Sequence, residues 1–354
     1  MSHFRYSLRL LLGTGRKAAP AFVPLLALLA AFTGCAKREA AVSDTVRFGH
    51  PSNPAGTTEW AIYRNILQPE LATVGINHIV DYPSAAGPEL NEAFAARTLD
   101  VFSTGDTPAL IGKASGLRYR LIDIDVTHTN NSLYVRQDGP KSVADLVGKK
   151  VPVSQGTNAM HYVYGVLTEA GILDKVQIIS LDSGGIETAL QRGDIDAASS
   201  QTPEVMEAKG YRIIDRASDH QGLYGNIPVV AGEDFLDQHP GFVAAWNRAR
   251  AKAIVDMQAH PDEYYAWLAK IAKFPPELLP QTYPISSYNP EPITPQAVEE
   301  LGSLQQFLVD QQIVRHPVPV TDWIADEARP ALAAGTAAQA QAQVQVQTPS
   351  PTAP

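Results

Sequence analysis

Cysteine is almost absent: the 354-residue chain holds one, Cys35. No internal disulfide can form. Past residue 35 there is no thiol for a zinc knuckle or a cysteine nucleophile. Basic charge is in deficit, with 28 Lys and Arg against 37 Asp and Glu and a formal charge of −9. That balance argues against nucleic acid as a partner. A small anion is still allowed, because local dipoles set such a site. Apolar runs are short as well: Ala18 to Phe32 falls below the roughly 20 residues that cross a bilayer. The chain has no Gly-x-Ser-x-Gly elbow between strand and helix, no Walker lysine loop, and no His or Cys pair at metal spacing. Its nine His are scattered. No catalytic residue, metal or cofactor is therefore expected. Residues 335 to 354 carry no charge and are mostly Ala, Gln, Val, Thr and Pro, a composition that predicts a disordered tail.

What is present begins with an export signal. Arg5, Arg9, Arg16 and Lys17 precede the apolar run, which ends at Phe32-Thr33-Gly34-Cys35. Two small residues before a cysteine resemble the lipobox of bacterial lipoproteins. The resemblance implies a signal over 1–35 and acylation of Cys35, which would tie the chain to a membrane in the cell envelope. Residues 36–44 read as a polar tether.

The rest is organised around Asp100 to Pro108. Val101 and Phe102 read as the end of a buried strand, and Ser103, Thr104 and Gly105 as a tight polar turn. Asp106 reads as the cap of a helix with Pro108 in its first turn. A strand that breaks into such a turn presents neutral donors to a small anion. The Asp106 carboxylate is expected to turn back onto its own helix. Before this turn, Thr45 to Gly49 predicts a strand, His50 to Gly56 a loop containing Asn53, Thr57 to Val74 a helix, and Ile76 to Tyr82 a strand. Strands alternating with helices at this spacing predict parallel βαβ units whose strand-end loops share one edge.

Tyr119 to His128 and Ser132 to Arg136 read as strands that lead out of the first unit, and then the pattern restarts. Gln155-Gly156-Thr157-Asn158 is a second donor-rich turn before a helix, and Gln201 stands at a later strand end. From Pro240 the reading is helical, with Trp246 and Trp267 assigned to core and a last helix over Thr321 to Ala334. Asp123 and Asp125 alternate on their strand and so share a face, expected to be solvated. The chain is therefore α/β, with two lobes and a cleft.

Tyr82-Pro83-Ser84-Ala85-Ala86-Gly87-Pro88, Ser103-Thr104-Gly105-Asp106-Thr107-Pro108, the stretch Lys141 to Val151 and the stretch Leu190 to Ala197 together resemble the substrate-binding proteins of ABC importers for aliphatic sulfonates, taurine and nitrate. The resemblance implies the type II periplasmic binding protein fold, with one lobe from 45–136 and 226–334, the other from 137–225, and a hinge between them. It implies a monomeric receptor for a small anionic solute, a sulfonate, that delivers to a membrane permease. Sulfonate oxygens would accept hydrogen bonds from Ser103, Thr104 and Gly105, and across the cleft from Gln155, Thr157 and Asn158, with Asp106, Asn53 and Gln201 completing the binding site. Where the sulfonate branch tends to carry an aromatic–acid–Pro stretch, this chain has Ser200-Gln201-Thr202-Pro203, so the acid that would hold the ammonium of taurine is missing there. Nitrate or a thiamine-pyrimidine precursor is the alternative ligand. A sulfinate desulfinase on the same fold would need a cleft cysteine.

Overall fold

Thr45–Pro51 alternates in the manner of a half-buried strand and sinks Val46 and Phe48 into the core. It is β1 in a computed structural model that describes residues 42–52, 56–181, 183–288 and 290–329. The expected signal, Cys35, residues 36–41 of the tether, and the tail lie outside the described residues. The further strands are β2 (His78–Ser84), β3 (Val101–Ser103), β4 (Tyr119–Thr129), β5 (Ser132–Val135), β6 (Lys150–Pro152), β7 (Gln177–Ile179), β8 (Ala198–Ser200), β9 (Arg212–Arg216) and β10 (Gly225–Gly232). The helices that matter below are α1 (Thr57–Tyr63), α2 (Leu67–Ala72), α3 (Gly87–Ala95), α4 (Asp106–Ala114), α5 (Asn158–Glu169), α6 (Ile186–Arg192), α7 (Pro203–Ala208), α8 (Glu233–Gln238), α9 (Phe242–Ala259) and α10 (Pro261–Ala272). No helix among the described residues is long and apolar enough to cross a membrane.

One sheet has the order β2-β1-β3-β10-β4. Its first three strands are parallel and linked by helical crossovers, while β10 runs antiparallel to both neighbours. A second sheet has the order β8-β5-β9, all antiparallel, with the parallel pair β6-β7 beside it. The chain passes from the first sheet to the second between β4 and β5, and returns between β9 and β10. The strand ends of β1, β2 and β3 and the start of β10 thus lie where the chain changes sheets.

The helical stretch after β1 is broken in two. Asn65 adopts φ 55°, the left-handed region, and ends α1 before α2 begins. Asn enters that region more readily than other residues with a side chain, since its short amide can bond locally. Apolar spacing alone predicted one helix because it does not register a single left-handed residue. Asn65→Gly should leave the melting temperature nearly unchanged, whereas Asn65→Val should cost about 1–2 kcal/mol. Equal melting of the two variants would count against the break being conformational in origin.

Helix α9 packs on α1 and α2 and brings Trp246 into the core, where it meets Phe48 at 5.5 Å between ring centroids. On α10, Trp267 and Tyr264 pack edge-on against Trp60 at 5.3 and 5.4 Å. The last expected helix is cut short. A four-residue turn, Val320–Trp323, is followed by extended chain, with Ile324 bridging Leu121 and the Ala325 N–H donating to the Leu121 carbonyl at 2.9 Å. β4 is the edge strand there, and pairing its open carbonyl outweighs continuing the helix.

Candidate functional site

The two turns singled out in the sequence meet. The cap of α4 is Gly105 rather than the expected Asp106, which is the first helical residue; its carboxylate still turns back onto its own helix, accepting the Thr107 N–H at 2.8 Å. Its other oxygen accepts the Asn226 backbone N–H at 2.7 Å and the Asn226 side-chain amide at 3.3 Å. Burial pushes its pKa up to about 7 against the pull of those bonds. From the start of α5, Asn158 accepts the same Thr107 N–H at 3.1 Å and donates to the Asn226 carbonyl at 3.2 Å. Gly105 faces the Asn158 amide so closely that a Cβ there would overlap it. Thr104 N–H donates to the Pro228 carbonyl at 3.1 Å. Thr157 caps α5, accepting the Met160 N–H at 3.3 Å and donating to the Ser154 carbonyl at 2.7 Å. Gln155 is exposed, with its amide 3.4 Å from the Tyr164 hydroxyl. The Thr104 and Thr107 N–H groups and the Asn158 amide thus join α4, α5 and β10, while the Ser103, Thr104 and Thr107 hydroxyls have no partner.

Beside this junction lies a cavity of about 840 Å³. Its walls come from the end of β1, the start of α1, the end of β3, the second half of β4, the β8–α7 turn and the stretch 281–288. Of the residues nominated from sequence, Ser103 and Gln201 line it; Thr104, Gly105, Asp106, Gln155, Thr157 and Asn158 do not. Asn53 lies outside the described residues. Ser103 is 1% exposed and its Oγ has no partner, and the Thr129 Oγ1, also in the cavity wall, has none either. Among the described residues no Lys or Arg lines the cavity.

The strand acids correct the sequence expectation. Asp123 and Asp125 share a face of β4, but that face is covered, leaving them 0% and 1% exposed. Asp123 lies 2.9 Å from Arg250 Nε of α9, a charge contact rather than an aligned hydrogen bond. Asp125 lines the cavity and caps α1 from 68 residues away. One oxygen takes the Thr57 N–H at 2.9 Å and the Thr57 hydroxyl, and the other lies 3.4 Å from the Thr58 N–H. The α1 cap position is Gly56, which has no side chain to do this.

Glu59, in the first turn of α1, went unnoticed in the sequence. It lines the cavity, is 8% exposed, and its Oε2 has no hydrogen-bond partner. A Cβ on Gly56 would fall 2.8 Å from that oxygen and closer still to Asp125 Oδ2, so the two carboxylates converge. Burial, then the Asp125 charge, raise the Glu59 pKa to about 7 against the pull of His50. His50 Nδ1 faces the Pro51 carbonyl at 2.7 Å and Nε2 faces Asp81 at 2.9 Å. Both ring nitrogens meet acceptors, which is the environment of an imidazolium. Burial opposes its charge, but the Asp81 bond and the Glu59 and Asp81 charges raise its pKa overall. No group of three or more His, Cys, Asp or Glu among the described residues could hold a metal ion. One local signal was available for Glu59: an acid next to Trp60 at the start of a helix that follows a strand-end loop.

Known proteins can now be set beside this geometry. The chain is 25% identical over 240 residues to a putative aliphatic sulfonates-binding protein of Escherichia coli (strain K12), covering 65% of this chain and 72% of that one. It is 25% identical over 239 residues to the taurine-binding periplasmic protein of the same organism, covering 64% and 73%. Among solved structures it resembles the alkanesulfonate-binding protein SsuA from Xanthomonas axonopodis pv. citri bound to MOPS, with a TM-score of 0.69, 19% identity, and coverage of 81% and 99%. The desulfurization enzyme DSZB is similar in fold at a TM-score of 0.62 and 18% identity, covering 82% and 99%. These likenesses establish the two-lobed type II periplasmic binding protein fold. Residues 60–264, more than half of the chain, match the family described as NMT1/THI5 like, and the chain belongs to that family.

Proposed function

We propose that this chain is the solute receptor of an ABC importer in the periplasm, and that it captures a small organosulfonate between its lobes for delivery to a membrane permease. The observation that carries the reading is a cavity of about 840 Å³ into which both sheets send neutral hydrogen-bonding groups, Ser103 from β3 and Gln201 from the β8–α7 turn. Oriented neutral donors in a water-poor cleft hold an anion more strongly than the same groups in water. They also release it more readily than a basic clamp does. The relatives named for aliphatic sulfonates and taurine support the same ligand class. The junction of Thr104, Gly105, Asp106, Thr157 and Asn158 sets the lobes in register, with Gln155 at its margin, and closure turns on the two chain crossings near 130 and 220. Acylation of Cys35 anchors the receptor to the membrane, and a Cys35→Ala protein should no longer label with lipid. Enzymatic desulfination is disfavoured, because the one thiol of the chain precedes the whole of the described fold.

A second reading, a pyrimidine ligand, is favoured by the acids Glu59 and Asp125 in the cavity wall, which suit the N–H edge of a heterocycle. The test is a thermal-shift titration with alkanesulfonates, taurine, nitrate, sulfate and pyrimidines. A ligand at a hundredfold excess over Kd adds about 2.7 kcal/mol of stability. Ser103→Ala should weaken sulfonate binding about tenfold or more. It should leave the melting temperature of the empty protein unchanged, since Ser103 Oγ has no partner to lose. A pyrimidine that outbinds every sulfonate would select the second reading, and silence across the panel would end both.

A further inference from the structure

We propose that the cavity contains a cation subsite in which Glu59, supported by Asp125, takes a protonated amine or amidine, so that the captured sulfonate also carries such a group. This rests on the receptor reading above and narrows its substrate class. Every other ionised group at or just behind the cavity wall has a counter-charge. Glu204 lies 3.8 Å from Arg216, and His128 lies 2.8 Å from Glu300. Asp123 faces Arg250 at 2.9 Å, and His50 faces Asp81 at 2.9 Å. Glu59, Asp125 and Asp81 by contrast share a single cation, His50, 2.9 Å from Asp81 and 3.9 Å from Glu59, so this cluster is left with excess negative charge. The hydroxyls of Tyr264 and Tyr288, 2.5 Å apart, complete the polar surroundings. Asp125 is occupied with the α1 amides, but Glu59 Oε2 is buried, lines the cavity and has no partner.

An unpartnered buried carboxylate oxygen beside a second carboxylate is costly unless a positive group completes it. The acid missing beside Gln201, where the family resemblance pointed, is thus supplied from the opposite wall. Proton linkage gives the subsite a signature. In the empty receptor Glu59 titrates near 7 under the influence of Asp125, His50 and Asp81. A cation binds the ionised form and expels its proton, so affinity rises with pH through that range. A plain anion favours the protonated form, and its affinity falls.

The experiment compares taurine with isethionate, which carries a hydroxyl in place of the ammonium, by calorimetry on the whole protein at pH 6 and pH 8. Propylamine and a 4-aminopyrimidine serve as probes without sulfonate. The expected result is taurine binding at least tenfold tighter than isethionate in the wild type. Its affinity should rise from pH 6 to pH 8, and Glu59→Gln should bring the ratio towards one. Amine probes that bind in a Glu59-dependent way while no sulfonate binds would keep the subsite and remove the sulfonate reading. Taurine and isethionate binding alike, with no rise in affinity towards pH 8, would overturn the subsite and leave the receptor reading standing. Failure of every probe would overturn both. The taurine-to-isethionate ratio and its pH slope in the wild type decide the matter even if the variant does not fold.

Discussion

Arg250→Ala should destabilise the protein by about 3–5 kcal/mol, the usual cost of stranding one member of a buried ion pair. For a chain of this size that is a fall in melting temperature on the order of 10 °C. Among the described residues, Arg250 is the one buried Lys or Arg. Its Nε lies 2.9 Å from Asp123, and its Nη2 donates to the Ile124 carbonyl at 3.3 Å. Without the guanidinium, Asp123 would be a buried carboxylate with only the charge of Asp125 nearby, which repels it. The aliphatic stem matters too, because it packs α9 onto the face of β4. Replacing both partners separates these contributions. Arg250→Met with Asp123→Leu should recover most of the loss, since two apolar groups of similar size leave no charge to compensate. Melting and urea midpoints on the single and double variants check this. A single variant as stable as wild type would show that the pair contributes nothing net, and a double variant no better than the single would place the effect in packing alone.

Glu59→Gln should stabilise the empty receptor, increasingly as the pH rises from about 4.5 to about 7 and fully above that. The folded-state pKa of Glu59 is raised to about 7 from an ordinary 4.5. A raised pKa contributes stability that is complete below about pH 4.5 and is lost as the pH climbs through about 7. Gln has no such dependence. The variant should therefore match the wild type near pH 4.5 and exceed it by about 2–3 kcal/mol at pH 8.5, reading the shift at 1.36 kcal/mol per unit and allowing for the lost attraction to His50. Urea midpoints at the two pH values measure the gap. A gap that stays constant with pH would mean that the carboxylate is not forced to ionise in a hostile place. Greater stability together with weaker binding of an amine is the pattern expected of a group kept for its ligand at the expense of the fold.

The two outcomes bear on how much of this molecule could be read in advance. The order of strands and helices was legible because period-2 and period-3.6 apolar patterns and end caps are local. The helix start at Asp106 and the turn before α5 were legible for the same reason, although the cap of α4 is Gly105. Glu59 was not, since nothing within a few residues of it tells that its oxygen lacks a partner. The donors of the Ser103–Asp106 and Gln155–Asn158 turns were legible as donors, but not as donors to each other. Asn158 reaches Thr107 across 51 residues and Asn226 across 68.

Sequence alone determined the single thiol, the acidic balance, the alternation that builds two α/β units, and the motifs that resemble importer receptors. Tertiary structure decided what covers each face. The alternation on β4 places Asp123 and Asp125 on one side of the strand, but whether that side meets water or helix depends on where α9, more than a hundred residues later, comes to rest. Burial is a property of the partner surface as much as of the residue, and it is burial that turns two ordinary carboxylates into a capped helix and a paired core charge, and a third, Glu59, into a group whose one cation, His50, is shared with Asp81.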